Sequence, residues 1–174
     1  MNMQTRTSWI AMPLAVFLLV TTTVIEAGDK ARSKLPTISD IAETTEGFGI
    51  LYAALEAAGL EATFDGKRHY TVFAPTDDAF LDLLGALGMT ADQLLADTAL
   101  LNTVLKYHVT RGDRYSGSVL AAGALKMLDR NTTSISVTED GAMIEDAVIT
   151  TVDIRASNGV VHVINKVIIP PGLL

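Results

Sequence analysis

The hydrophobic period of this chain changes between its first and last parts, and that change restricts the fold class more than any other feature. Between residues 37 and 108 apolar residues recur mostly at helical spacing, whereas in the last third they alternate. Phe48, Leu51, Tyr52 and Leu55 stand at i, i+3, i+4 and i+7, and Gly59 ends that stripe. Phe80, Leu83, Leu84 and Leu87 form a second stripe; Leu101, Val104, Leu105 and His108 form a third. Ile135 and Val137 then alternate in SISV, and Asp140-Gly141 and Asn158-Gly159 mark hairpin-type turns between β-rich runs. Helices first and a run of strands afterwards predict α+β rather than a doubly wound sheet.

Local signals fix several element ends. Thr37 is a cap for a short helix carrying Ile38, Ile41 and Ala42, and Thr90 with Gln93 fits a capping box. The segment LEATFDGKRHYTVFA predicts a strand-like flank on each side of Asp65-Gly66. In YTVFAPTDDAF, Pro75 cannot donate a ladder hydrogen bond and ends a strand, and Thr76 caps the helix that follows. Asp77 and Asp78 fall in its first turn, where the macrodipole favours negative charge. Consecutive helical side chains diverge by about 100°, so these carboxylates do not converge as a general acid/base pair.

The 49% hydrophobic and 19% charged composition suits one globular domain. A net charge of −7 repels phosphate backbones and argues against a nucleic-acid partner. With no cysteine there are no disulfides, thiolate metal sites or cysteine nucleophile. His162 lies on a strand apolar on both faces and is expected to be buried and hydrogen-bonded, as is His108; His69, in a polar turn region, is expected to be solvated. Three scattered histidines make no zinc pattern, and no serine sits in a G-x-S-x-G elbow. No catalytic, cofactor-binding or metal-binding residue is predicted, and the chain is expected not to be an enzyme.

Arg6, the apolar run over residues 9–20 interrupted by Pro13, and the small Ala27 predict a signal peptide over residues 1–27. An uncleaved anchor extending to Ile25 is the alternative, and is the one way a membrane enters. Residues 28–36 read as a flexible lead-in, residues 37–170 as the domain and residues 171–174 as a C-terminal tail. The mature chain is expected to be secreted, periplasmic or extracellular.

TVFAPTDDAF resembles the first signature of the fasciclin domain family, and further segments agree with it in order. VLKYHV is similar to the family's Tyr-His segment, with Tyr107 and His108 in the matching places. VDIRASNG is similar to its Asp-Ile segment, with Asp153 and Ile154, and NGVVHVINKVIIP to its C-terminal signature, with Asn158, Gly159 and His162. The resemblance implies a wedge of short β-strands with a layer of helices and a non-catalytic role in adhesion or protein interaction. In animal members the Asp-Ile and Tyr-His segments are associated with integrin binding, which makes Tyr107, His108, Asp153 and Ile154 the candidate interaction residues here. Val152 and Arg155 flank the pair where the best-known versions have Pro and Met, and Asn165 stands where many members have Asp. The implied partner is a cell-surface or matrix protein or a glycan.

Two short motifs stand apart from that resemblance. Arg111, Gly112 and Asp113 spell Arg-Gly-Asp after the Tyr-His segment, in a stretch expected to be an exposed loop; a fixed tripeptide also recurs by chance, and its glycine has an ordinary turn role. Asn131 begins an Asn-Thr-Thr sequon, a glycosylation site where the host glycosylates secreted proteins. The alternative function is an extracytoplasmic small-molecule or glycan binder using a groove between helices and sheet.

Overall fold

The computed structural model describes residues 35–139 and 141–173; the predicted signal segment, most of the lead-in, Asp140 and Leu174 lie outside the described residues. The elements run α1 Ile38–Thr44, α2 Gly49–Ala57, α3 Glu61–Phe64, β1 Tyr70–Pro75, α4 Asp77–Leu87, α5 Ala91–Ala96, α6 Thr98–Tyr107 and β2 Val109–Arg111. They continue with α7 Ser116–Ala122, β3 Ala124–Lys126, β4 Thr132–Thr138, β5 Gly141–Ile144, β6 Ala147–Ala156 and β7 Gly159–Ile164. This is the expected α+β wedge: helices dominate the first half, and one sheet takes the order β2-β1-β7-β6-β5-β4-β3.

Among the described residues, the strands buried along their whole length are the neighbours β1 and β7, which pair in parallel from Tyr70↔Gly159 to Pro75↔Ile164. Burial on both faces explains why GVVHVI reads as a near-continuous apolar run. Alternation assigns its faces. Val72, Ala74, Val161 and Val163 join a cluster with Leu51, Leu55, Phe80, Leu101 and Leu105 of the helices. Phe73 and Ile164 instead join Tyr107, Val119, Ile144 and Ile168. Fully burying a Val, Leu, Ile or Phe side chain of this kind contributes about 1.5–3 kcal/mol.

At the start of β7 the backbones come very close. A Cβ on Gly159 would stand 2.0 Å from the Tyr70 carbonyl oxygen and 2.7 Å from Ile38 Cδ1. Asn158 beside it is buried and accepts from the Ile38 N–H at 2.9 Å, while its amide donates to the Phe64 and Gly66 carbonyls. The Asn-Gly hairpin is therefore also the clasp that holds α1 and the turn after α3 against the sheet.

The two ends of the strand order meet. Thr110 of β2 bridges Met127 just after β3, Leu128 N–H donates to the Val109 carbonyl at 2.8 Å, and Thr110 Oγ1 donates to the Lys126 carbonyl at 2.8 Å. This seam uses backbone groups that two edge strands would otherwise leave open.

Thr37 and Thr90 both form capping boxes, with Asp40 and Gln93. Thr76 Oγ1 accepts from the Ala79 N–H at 3.4 Å, and the Asp77 carboxylate accepts from Gly49 and Ile50, capping α2 rather than its own helix. Elsewhere the local pattern misleads. The flank before Asp65-Gly66 is the helix α3, with Phe64 buried under it; only the flank after the turn is a strand. The helical stretch after Thr90 breaks at Asp97, whose carboxylate caps α6 through the Leu100 N–H. Glu145, at φ 52°, likewise splits β5 from β6 within a single β-rich run.

Both chain ends of the described region are tied in. Ser157 N–H donates to the Pro36 carbonyl at 2.9 Å, and Leu173 packs against the helical cluster. Among the described residues no helix is long and apolar enough to cross a membrane.

Candidate functional site

Three segments singled out in the sequence converge on one buried ring. His162 lies on β7 between β1 and β6, stacked on Phe73 with centroids 5.4 Å apart and planes 25° apart. Its Nδ1 accepts from the Asp153 N–H at 3.3 Å, so its proton sits on Nε2, which donates to the Arg114 carbonyl at 2.8 Å. Both nitrogens are satisfied, and the ring is 1% exposed. Burial holds its pKa below the usual imidazole range, against the opposing pull of the Arg114 carbonyl and the Asp153 carboxylate.

Asp153 occupies an irregular stretch of β6. Register shifts between Ile149 and Thr151 and between Thr151 and Ile154 bend the strand, and Asp153 takes φ 61°, a conformation that Asp tolerates better than most residues. Its carboxylate accepts from Ser116 twice, from N–H and from Oγ, both at 2.7 Å. Burial raises the carboxyl pKa, but these two hydrogen bonds, with His162 and Arg155, outweigh it and hold the group below the usual carboxylate range. Ile154 turns partly inward onto the helical cluster. What stands outward is Val152, 43% exposed, while Arg155 lies over the Tyr115 ring at 5.6 Å.

The Arg-Gly-Asp segment is held more firmly than the expected exposed loop. Arg111 belongs to β2 opposite Tyr70, and Gly112, at φ 84°, donates its N–H to the His69 carbonyl at 2.8 Å. Thr71 Oγ1 donates to the Gly112 carbonyl and accepts from the Arg114 N–H, each at 2.7 Å. The Asp113 carboxylate meets His69 Nδ1 at 2.9 Å, and its side chain is only 22% exposed. His69 is thus a pairing partner, not a merely solvated residue. Local composition correctly marked its turn as polar but could not show a carboxylate 44 positions away.

Tyr107 and His108 lie in the interior. Tyr107 is 2% exposed, and its hydroxyl lies 3.5 Å from Glu145 Oε1. Burial, together with Glu145 and Asp129, pushes its pKa up to about 12. His108 caps α6, donating from Nδ1 to the Val104 carbonyl at 2.8 Å and accepting at Nε2 from the Ile168 N–H at 3.0 Å. Burial pushes its pKa down to about 4, the Val104 bond opposing. The pair joins the last turn of α6 to the segment after β7 and presents nothing to a partner.

Asn131 is half-buried, and its side-chain nitrogen, the atom a glycan would occupy, donates to Asp129 at 2.7 Å. Asn165 Oδ1 accepts from the Val148 N–H at 2.8 Å, an acceptor role that either Asn or Asp can fill. Ser116 had no signal beyond a polar Ser-Gly-Ser run, and its link to Asp153 spans a helix start and a strand bulge. Among the described residues no group of three or more His, Cys, Asp or Glu is placed to hold a metal ion.

The space between helices and sheet is small. A gap of about 20 Å³ lined by Ile38, Phe48, Leu51, Phe64, Val72 and other core residues is far below the roughly 300–1,000 Å³ of ligand pockets.

The fasciclin domain model matches residues 46–170. Transforming growth factor-beta-induced protein ig-h3 of Sus scrofa is 37% identical over 135 residues, covering 78% of this chain and 19% of that protein. Protein sll1483 of Synechocystis is 32% identical over 165 residues, covering 93% of this chain and 90% of that one. Among solved structures, a FAS1 domain pair from the insect cell adhesion molecule fasciclin I matches with a TM-score of 0.65 at 16% identity, over 79% of this chain and 52% of that one. This likeness is one of fold. The chain spans about a fifth of the Sus scrofa protein and nearly all of the Synechocystis one.

Proposed function

The chain belongs to the fasciclin domain family, and from that premise we propose that it is an extracytoplasmic, non-catalytic adhesion and protein-interaction module. The observation that carries this reading is the bulge at Asp153. Its carboxylate and N–H are engaged by Ser116 and His162, which anchors the bulge, and the same strand carries the exposed Val152 and, three residues on, Arg155 over the Tyr115 ring. An exposed apolar residue and an Arg over a Tyr ring on one short strand segment have the composition of a small interface centre. Supporting it, the insect structure matching in fold comes from a cell adhesion molecule. Tyr107 and His108 serve this surface as scaffold.

Export follows the same reading: a signal peptide over residues 1–27 delivers a mature chain starting near Gly28, with the domain over residues 37–170. Intact-mass analysis of exported protein tests the cleavage. The interaction surface is tested by attachment of source cells to the immobilised protein. Val152→Asp and Arg155→Glu should reduce attachment measured well below the melting temperature, Arg155→Glu also lowering that temperature somewhat because Arg155 supports the Asp153 carboxylate, and Tyr107→Phe should leave attachment unchanged. Equal attachment by all three variants would place the contact elsewhere.

A further inference from the structure

We propose that the seam between β2 and β3 is a binding groove for an anionic polysaccharide of low charge density, such as a uronic-acid chain. This goes beyond the adhesion reading, which concerns the Asp153 bulge and does not depend on it.

An open groove of about 470 Å³ runs along the seam, lined by Arg111, Arg114, Lys126 and Arg130 together with residues such as Thr110 and Met127. Four cations in one groove are unexpected on a chain of net charge −7. The topology explains their convergence: Arg111 ends β2, Arg114 follows it, Lys126 ends β3, and the Thr110↔Met127 bridge brings the two strands together. Among the described residues none of the four side chains forms an ion pair. The nearby carboxylates are occupied, Asp129 by Asn131 and Asp113 by His69. Arg130 also stands at φ 78°, where Gly or Asn would sit with less strain.

The chemistry of the walls selects the occupant. Strand addition by an acidic peptide needs open edge groups, and here the seam has consumed them through Leu128 N–H, Thr110 Oγ1 and the bridge. A single-stranded nucleic acid wants aromatic platforms, and no aromatic residue lines the groove. Duplex nucleic acid carries one charge per about 1.7 Å, and the overall negative field opposes it strongly. A polysaccharide with one carboxylate per sugar meets less of that repulsion. It also supplies hydroxyls for the polar walls and separate carboxylates for separate Arg and Lys side chains.

The test is calorimetric titration of the whole chain at low salt with a polygalacturonate oligosaccharide. A neutral dextran of the same length, a polyglutamate peptide and a single-stranded oligonucleotide are the comparisons. Polygalacturonate should bind, more weakly as salt rises, and the other three should bind weakly or not at all. Lys126→Gln with Arg130→Gln should weaken binding roughly tenfold and flatten its salt dependence, with the melting temperature unchanged. Glutamine at 130 faces the same backbone strain as arginine, so the fold is not perturbed. No polygalacturonate binding, equal binding by the double variant, equal binding of dextran, or tighter binding of the peptide or oligonucleotide would each overturn the proposal. No cell is involved, so the outcome is separate from that of the attachment assay.

Discussion

Asp153 accepts both the N–H and the hydroxyl of Ser116, each at 2.7 Å, and so anchors the start of α7 to the bulge of β6. The carboxylate of the Asp-Ile pair is therefore turned inward onto its own chain. Asp153→Ala leaves the Ser116 N–H without its acceptor and puts an alanine at φ 61°, so it should cost about 2–3 kcal/mol. Asp153→Asn keeps one acceptor oxygen and tolerates the backbone, so about 1 kcal/mol is expected. Urea unfolding of the two variants measures the gap; equal stabilities would refute the anchoring role.

Asp113 should be dispensable for adhesion. With its side chain 22% exposed and facing His69, it is a poor terminus for a ligand that must reach a partner's metal ion. Asp113→Glu moves the carboxylate by one methylene, enough to spoil such coordination. Attachment to the immobilised protein is expected to stay at the level of the unaltered chain. A loss of attachment with intact folding would show that the Arg-Gly-Asp segment is used.

Gly159 should be intolerant of any side chain, because a Cβ there would lie 2.0 Å from backbone, not from a side chain able to turn away. Gly159→Ala must push β7 from β1 or α1 from the sheet. Overpacking of this kind costs about 1–3 kcal/mol, and contact with backbone places the expected value at the upper end. Thermal unfolding reads it, and Gly85→Ala, where nothing lies within 4 Å, is the control expected to be neutral or stabilising.

These residues also show which parts of the architecture were legible in the sequence. Thr37, Thr76 and Thr90 announce helix starts because capping is local, within three residues. Helical stripes and the Asn158-Gly159 hairpin are local in the same sense. The parallel pairing of β1 with β7 is not, since register between distant segments leaves no mark except that both strands are apolar on both faces. For the same reason the burial of His162 was readable while its partners Arg114 and Asp153 were not. α7 escaped because Val119 is its one buried residue, too few for a period, and β3 because it has three residues. The basic groove is assembled from both sides of the seam, so no single stretch of sequence contains it.

His108 should make the fold sensitive to mild acid. Its native pKa is about 4, while an unfolded histidine titrates near 6.5, so below about pH 6.5 the unfolded chain binds a proton that the native state refuses. Stability is therefore full above pH 6.5 and is lost as pH falls toward 4, below which this residue adds no further loss. By pH 5 the loss is about 2 kcal/mol, and His162, shifted in the same direction, adds to it. Urea midpoints between pH 7 and 5 test the sign. In His108→Gln the overall stability drops, since the Val104 and Ile168 bonds are altered, but the dependence on pH should flatten by the His108 share. An unchanged slope in that variant would mean that another group is responsible, and a midpoint that rises on acidification would contradict neutral burial of both histidines.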